Sequence, residues 1–295
     1  MVKQEQSKLN KKSTSETIVH GIVFGIMALY CIIVLFVYAY GINLSMFPDD
    51  KTFRQHPTWR ALLDFKPVFS NYLQAFSAMD SLGNFSFLNM LFNSIWYSIG
   101  GTLFSLSVAA CSTYVVAKYK NKFTGFIFSV CLFIMIFPVV GSAPALYRLY
   151  KTLGFDQTPL ILLSGLNNMC HLVMYAFFTA LPWTYAEAAF IDGANDYQVF
   201  FKIMLPMALP SISVLFVNGV IAMWNDYATP LLYLGDSFPT LASGLFTFEN
   251  LQKYQGGGRP IYFAGLCLAM IPPIVLFSVM QNTIMTKVYF GGIKG

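Results

Sequence analysis

Tyr185-Ala186-Glu187-Ala188-Ala189-Phe190-Ile191-Asp192-Gly193-Ala194-Asn195-Asp196, followed by Ile203-Met204-Leu205-Pro206, is an amphipathic island in an otherwise apolar chain. Its residue types predict a short helix, a break and a second short helix. Thr184 with Glu187 three residues on has the form of a capping box, Ala186, Ala188 and Ala189 favour helix, and Gly193 stands where a helix can stop in the left-handed conformation. A second helix can open at Asn195 or Asp196. It is expected to end at Pro206 and Pro210, because a proline inside a helix removes a backbone hydrogen bond, although either can open the next helix at its first turn. The alanines keep the surface of this elbow low, while Glu187 and Asp192 offer charge to a soluble partner. An interfacial helix that only connects two spans has the same polar composition.

Outward from the elbow the chain is greasy. With 295 residues, a mean hydropathy of +0.59, 56% hydrophobic and 11% charged residues, it is too apolar for a soluble domain of average composition. Six windows free of Asp, Glu, Lys and Arg run from Thr17 to Pro48, Ser81 to Ala117, Phe123 to Tyr147, Gln157 to Ala186, Ile203 to Asn225 and Pro260 to Thr286. Each is long enough for a span of about 20 apolar residues. The expected fold is therefore all-α, a polytopic membrane protein with six transmembrane helices. It has a cytoplasmic tail over 1–16 and a membrane domain over 17–295, which includes an external loop at 43–87, the elbow at 184–206 and a tail at 287–295.

The net charge of +5 is spread along the loops without a basic run or an aromatic-basic module, so no nucleic acid is expected as a partner. One set of loops holds Lys3, Lys8, Lys11, Lys12, Lys118, Lys120, Lys122, Lys202, Lys287 and Lys294 in short segments near span ends, where the positive-inside bias acts. Both termini and the elbow are thus expected on the cytoplasmic side. Cys31, Cys111, Cys131, Cys170 and Cys267 all fall within the apolar windows without metal-ligand spacing, and are expected as small core hydrophobes. No metal site is expected.

Glu187-Ala188-Ala189, then Gly193, then Ile203, Leu205 and Pro206 at the gaps seen here resemble the loop signature of the membrane subunits of ABC importers. Ile191-Asp192-Gly193-Ala194, Trp224-Asn225-Asp226-Tyr227 and Pro230-Leu231 resemble the carbohydrate branch, the maltose-importer type of inner-membrane permease. Phe190 departs from the pattern, which usually has an arginine there. The resemblance covers roughly residues 85 to 295. It implies that the elbow is a coupling helix seated in a cytoplasmic ATPase, with Glu187, Ala188, Ala189, Asp192, Gly193, Ile203, Leu205 and Pro206 as its coupling residues. Further implied partners are a second homologous permease, two copies of the ATPase and an extracytoplasmic sugar-binding protein, around a multi-pass subunit of the prokaryotic inner or cytoplasmic membrane. The tail ending Gly291-Gly292-Ile293-Lys294-Gly295 is implied as a second contact with the ATPase pair.

The chain has no GxxxxGK[ST] phosphate loop, so ATP and Mg are expected on the separate ATPase, with no cofactor and no catalytic residue here. Tyr147, Trp224, Asn225, Asp226 and Tyr227 are candidates for the substrate pathway, since rings stack on sugar faces and polar groups bind hydroxyls. Asp226 carries three readings: a cap on a broken helix near Thr229-Pro230, a hydroxyl acceptor, or a residue at the outer interface. The small residues Ser94, Ser98, Gly101, Ser105, Ala109 and Ser112 form a stripe at helical spacing, which suits close helix packing. A rival function is an ion-coupled secondary transporter, which needs several buried carboxylates where only Asp226 qualifies.

Overall fold

A computed structural model describes residues 14–48, 67–80, 86–136, 142–154, 168–255 and 258–291, and all regular structure among them is helical. Four helices are long and apolar enough to cross a membrane: Ile18–Ser45, Phe87–Lys118, Asp196–Trp224 and Arg259–Gln281. Two shorter apolar helices cover Lys122–Ile134 and Cys170–Ala180. Every apolar window of the sequence thus holds an apolar helix, four of them at full spanning length within the described residues.

The chain parts into two compact units, residues 1–75 with 255–267 and residues 76–254 with 268–295. In the first, α1 (Thr14–Ser45) exposes apolar side chains all round, as a span facing lipid does. Its last turn is different, with Asn43, Leu44 and Ser45 buried. There the Asn71 amide, in the first turn of α2 (Ser70–Asp80), donates to the carbonyls of Ser45 at 2.9 Å and Phe47 at 2.7 Å. The hydroxyls of Ser45 and Tyr72 share a further bond of 2.7 Å. The segment expected as an external loop at 43–87 therefore begins inside α1 and contains α2; its residues 49–66 and 81–85 lie outside the described ones.

The second unit continues with α3 (Phe87–Ile95) and α4 (Gly101–Lys118), joined without interruption by a π turn at Trp96–Gly100. Then come α5 (Lys122–Ile136), α6 (Ser142–Thr152) and α7 (Asn168–Ala180). In the window from Phe123 to Tyr147, residues 137–141 lie outside the described ones, and Tyr147 stands on α6, which has Pro144 in its first turn, where a proline is tolerated. The elbow holds α8 (Thr184–Ile191) and α9 (Asp196–Val199), followed by α10 (Leu205–Trp224), α11 (Ala228–Tyr233), α12 (Leu241–Gln255) and α13 (Arg259–Gly291). Because α13 stays helical through Gly291, the expected tail at 287–295 is helical for its first half. Residues 292–295 lie outside the described ones.

The small-residue stripe packs helices. Ser94, Ser98, Gly101, Ser105 and Ala109 are buried, and only Ser112 is exposed. Facing this side of α4, Gly219 of α10 sits so close that a Cβ there would stand 2.7 Å from the Thr102 methyl group, so no larger residue fits without a shift. The Ser94 hydroxyl accepts the N–H of Leu241 at 2.6 Å and so caps α12. The cysteines correct an expectation: Cys170 alone is buried, while Cys31, Cys111 and Cys131 are exposed on helix faces that lipid would cover.

Candidate functional site

The elbow begins where α7 ends, and Trp183 sets its angle. The indole lies edge-on to Tyr119 at 5.9 Å and against Phe190 at 6.1 Å, with the Lys118 ammonium 6.0 Å from the ring centre. Lys118 also donates to the Leu181 carbonyl at 2.5 Å. This packing fixes Trp183 as the residue flanking α8, and its carbonyl takes the N–H groups of Ala186 and Glu187 at 2.9 and 3.1 Å. The expected Thr184–Glu187 capping box is therefore absent. Thr184 is the first helical residue, and no side chain caps the start of α8. Glu187 still lies in the first turn, where the helix dipole favours a carboxylate.

The turn is built as its residue types require. Gly193 has φ +86°, a conformation that costs an L side chain energy, and it closes a Schellman motif. Its N–H donates to the Phe190 carbonyl at 3.0 Å, and that of Ala194 donates to the Ala189 carbonyl at 2.9 Å. Asn195 then caps α9 through a reciprocal pair. Its side-chain oxygen accepts the Gln198 N–H at 2.9 Å, and its own N–H reaches the Gln198 side-chain oxygen at 3.0 Å.

The second helix does not stop at the prolines. A π turn at Phe200–Met204 carries α9 into α10, giving one helical run from Asp196 to Trp224. The wider turn precedes Pro206, whose ring would otherwise meet the carbonyl four residues back, and Pro206 takes the second position of α10. Pro210 sits inside the helix.

The elbow's inner face is firmly seated. Ala186, Val199 and Met204 are fully buried in a core with Tyr114, Phe178 and Phe200, whose rings meet at 4.8 and 5.5 Å around Tyr114. Tyr119, just past α4, donates its phenol proton to the Asp196 carboxylate. Burial first, and then this bond, push the Tyr119 phenol above its usual range, so it stays protonated. The outer face is open: Glu187, Ala188, Asp192 and Gly193 are exposed, Ile191 is 86% exposed and Tyr197 77%. Ala189 and Ile203 turn partly inward, Leu205 is half-buried and Pro206 exposed, so the coupling candidates divide between an exposed rim and its support.

The pathway candidates lie at the other end of α10, about 30 Å away along 20 residues of helix, and they do not form one cluster. Trp224 is buried and its indole N–H donates to the Ala269 carbonyl at 3.2 Å. Asn225 is exposed, its amide turned back to the Ile221 carbonyl at 2.8 Å. Asp226 accepts the Thr229 N–H at 3.0 Å, capping α11, and the phenol of buried Tyr97 at 3.0 Å. Tyr227 stacks on Phe246 at 4.6 Å, and Tyr147 on Tyr233 at 6.4 Å. Sequence reasoning missed Lys118, Tyr119, Trp183 and Tyr97. The available signal was the run of aromatic and basic residues where spans meet the membrane surface. Among the described residues no three His, Cys, Asp or Glu side chains converge as a metal site.

Residues 101–288 match the family described as the binding-protein-dependent transport system inner membrane component. The chain is similar to the arabinooligosaccharides transport system permease protein AraQ of Halalkalibacterium halodurans, 31% identical over 69% of this chain and 73% of that one. It is 27% identical to the galactooligosaccharides transport system permease protein GanQ of Bacillus subtilis, over 78% of this chain and 81% of that one. Among solved structures, a chain of a bacterial ABC transporter that imports the acidic polysaccharide alginate superposes with a TM-score of 0.72 at 22% identity, covering 92% of this chain and 98% of that one, a likeness of fold.

Proposed function

The chain belongs to the binding-protein-dependent transport system inner membrane component family, and from that premise we propose that it is the membrane-spanning subunit of an ATP-driven importer of a sugar or oligosaccharide. The cargo class rests on its relatives, which carry galacto- and arabinooligosaccharides by name. The elbow at 184–206 is the docking element for a cytoplasmic ATPase. The observation that carries this is its two-sidedness: the inner face is locked to α4 and α7, while Glu187, Ala188, Ile191, Asp192 and Tyr197 stand free. A force on the rim thus passes to the spans and is not lost in a loose loop.

In this reading ATP and Mg bind the ATPase pair, hydrolysis belongs to that other polypeptide, and both termini face the cytoplasm. Six spans from this chain and those of a second, homologous permease enclose the path, and an extracytoplasmic sugar-binding protein delivers the cargo. Against an ion-coupled carrier stands the lack of any fully buried carboxylate among the described residues. The test is co-purification of this chain with its ATPase in detergent, comparing wild type with a Glu187→Arg, Gly193→Asp double variant. The variant is expected to lose the ATPase, or its stimulation by loaded binding protein. Equal behaviour of the two would overturn the docking assignment.

A further inference from the structure

We propose that α6 and α11 form a carbohydrate subsite selective for acidic sugars, a deepening that rests on the importer reading above. Three tyrosines from these two helices meet. The Tyr147 ring stacks on Tyr233 with centroids 6.4 Å apart at 25°, and Tyr150 meets the same ring edge-on at 5.1 Å and 82°. Tyr147 remains 37% exposed, so the platform is open on one side. Such ring faces take the apolar C–H face of a pyranose, while phenol hydroxyls both donate to and accept from its hydroxyls.

Charge narrows the class. Lys151 lies one turn beyond Tyr147 and borders the tyrosine side of α6, and Arg148, three residues from Lys151, lies further round the helix beyond it. Leu146 and Leu149 lie across the helix from these cations, on the other edge of the tyrosines, a side suited to lipid. Arg148 and Lys151 are exposed, and neither has an ion pair among the described residues. Asp226, the carboxylate whose charge bears on Tyr233, has its oxygens engaged by the Tyr97 phenol and the Thr229 N–H. A uronate or sulfonated sugar satisfies both halves of this surface, its ring on the tyrosines and its anion on the guanidinium and ammonium. A neutral sugar leaves the cations unmatched. A lipid phosphate matches the cations and leaves the platform without a role.

The test is saturation-transfer NMR on the solubilised importer complex, with trigalacturonate and its neutral counterpart galactotriose as probes. Wild type is expected to transfer to trigalacturonate more strongly than to galactotriose, and an R148Q/K151Q variant to cut only the trigalacturonate signal, by about fivefold. Tyr147→Ala is expected to weaken both probes and Tyr147→Trp to restore them, which separates stacking from misfolding. Equal signals for the two probes, or a trigalacturonate signal unmoved by R148Q/K151Q, would overturn the proposal. So would loss of co-purifying phosphatidylglycerol from R148Q/K151Q with sugar contact intact, which assigns the basic face to lipid. If neither sugar gives a signal while the ATPase is still stimulated by loaded binding protein, the subsite falls and the importer stands. If the ATPase does not associate at all, it is the importer reading that falls.

Discussion

At one end of α10 the elbow keeps its shape through bonds between residues three to five apart, whereas at the other end Asp226 is held by Tyr97, 129 positions away. The elbow's turn is therefore a local object, written by Gly193 and Asn195, and its neighbours need only give it a bed. The far end is a tertiary object, whose broken helix stands because α3 and α4 deliver a phenol to the right place. Local devices tolerate change elsewhere in the chain. Tertiary ones fail when either partner is removed.

That contrast can be broken experimentally. The largest effect is expected from Asp226→Ala, which leaves the buried Tyr97 phenol without its acceptor and uncaps α11, at a cost of about 2–3 kcal/mol; thermal unfolding of the purified protein in detergent reads it. Asp226→Asn is the sharper variant, expected to lower uptake through assembly or gating with sugar preference unchanged. A changed preference at normal complex yield would assign Asp226 to the cargo. Gly193→Val comes next, since a β-branched residue at φ +86° costs about 2 kcal/mol. Faster proteolysis confined to the elbow is the expected sign, and global unfolding would show that the turn is not local. Asn195→Ala loses the cap of α9, about 1 kcal/mol, visible as faster amide exchange at Gln198. The smallest change is Tyr119→Phe, which removes one hydrogen bond to Asp196 worth about 1 kcal/mol or less, and should loosen the elbow without altering the outer end.

The same division decides what could be read from the sequence. Gly193 and Asn195 announce their roles because a left-handed stop and a side-chain cap are properties of a few adjacent residues. Thr184 misleads by the same logic: its spacing to Glu187 is right, but Trp183, packed between Tyr119 and Phe190, flanks the helix start instead, and packing is not local information. Phe190, the departure from the resembling pattern, packs here against an indole. The prolines misled as well, because a π turn absorbs Pro206 and nothing in Phe200–Met204 marks a widened turn. Apolar windows located the helices, because a run free of charge over about 20 residues is itself local information. Trp224 and Tyr227 look like one aromatic pair in sequence, but the break after Trp224 sends one ring to the Ala269 carbonyl and the other to Phe246.

The π turn ahead of Pro206 has a mechanical meaning. By joining α9 to α10 it makes residues 196–224 a single lever of 29 residues, about 40 Å long, with one end in the elbow and the other at Trp224. Pro210 puts the compliant point at its middle, where a missing hydrogen bond permits bending. A turn of about 10° about that point would swing the Trp224 end by roughly 4 Å over its arm of about 21 Å, so a motion at one membrane surface is delivered at the other.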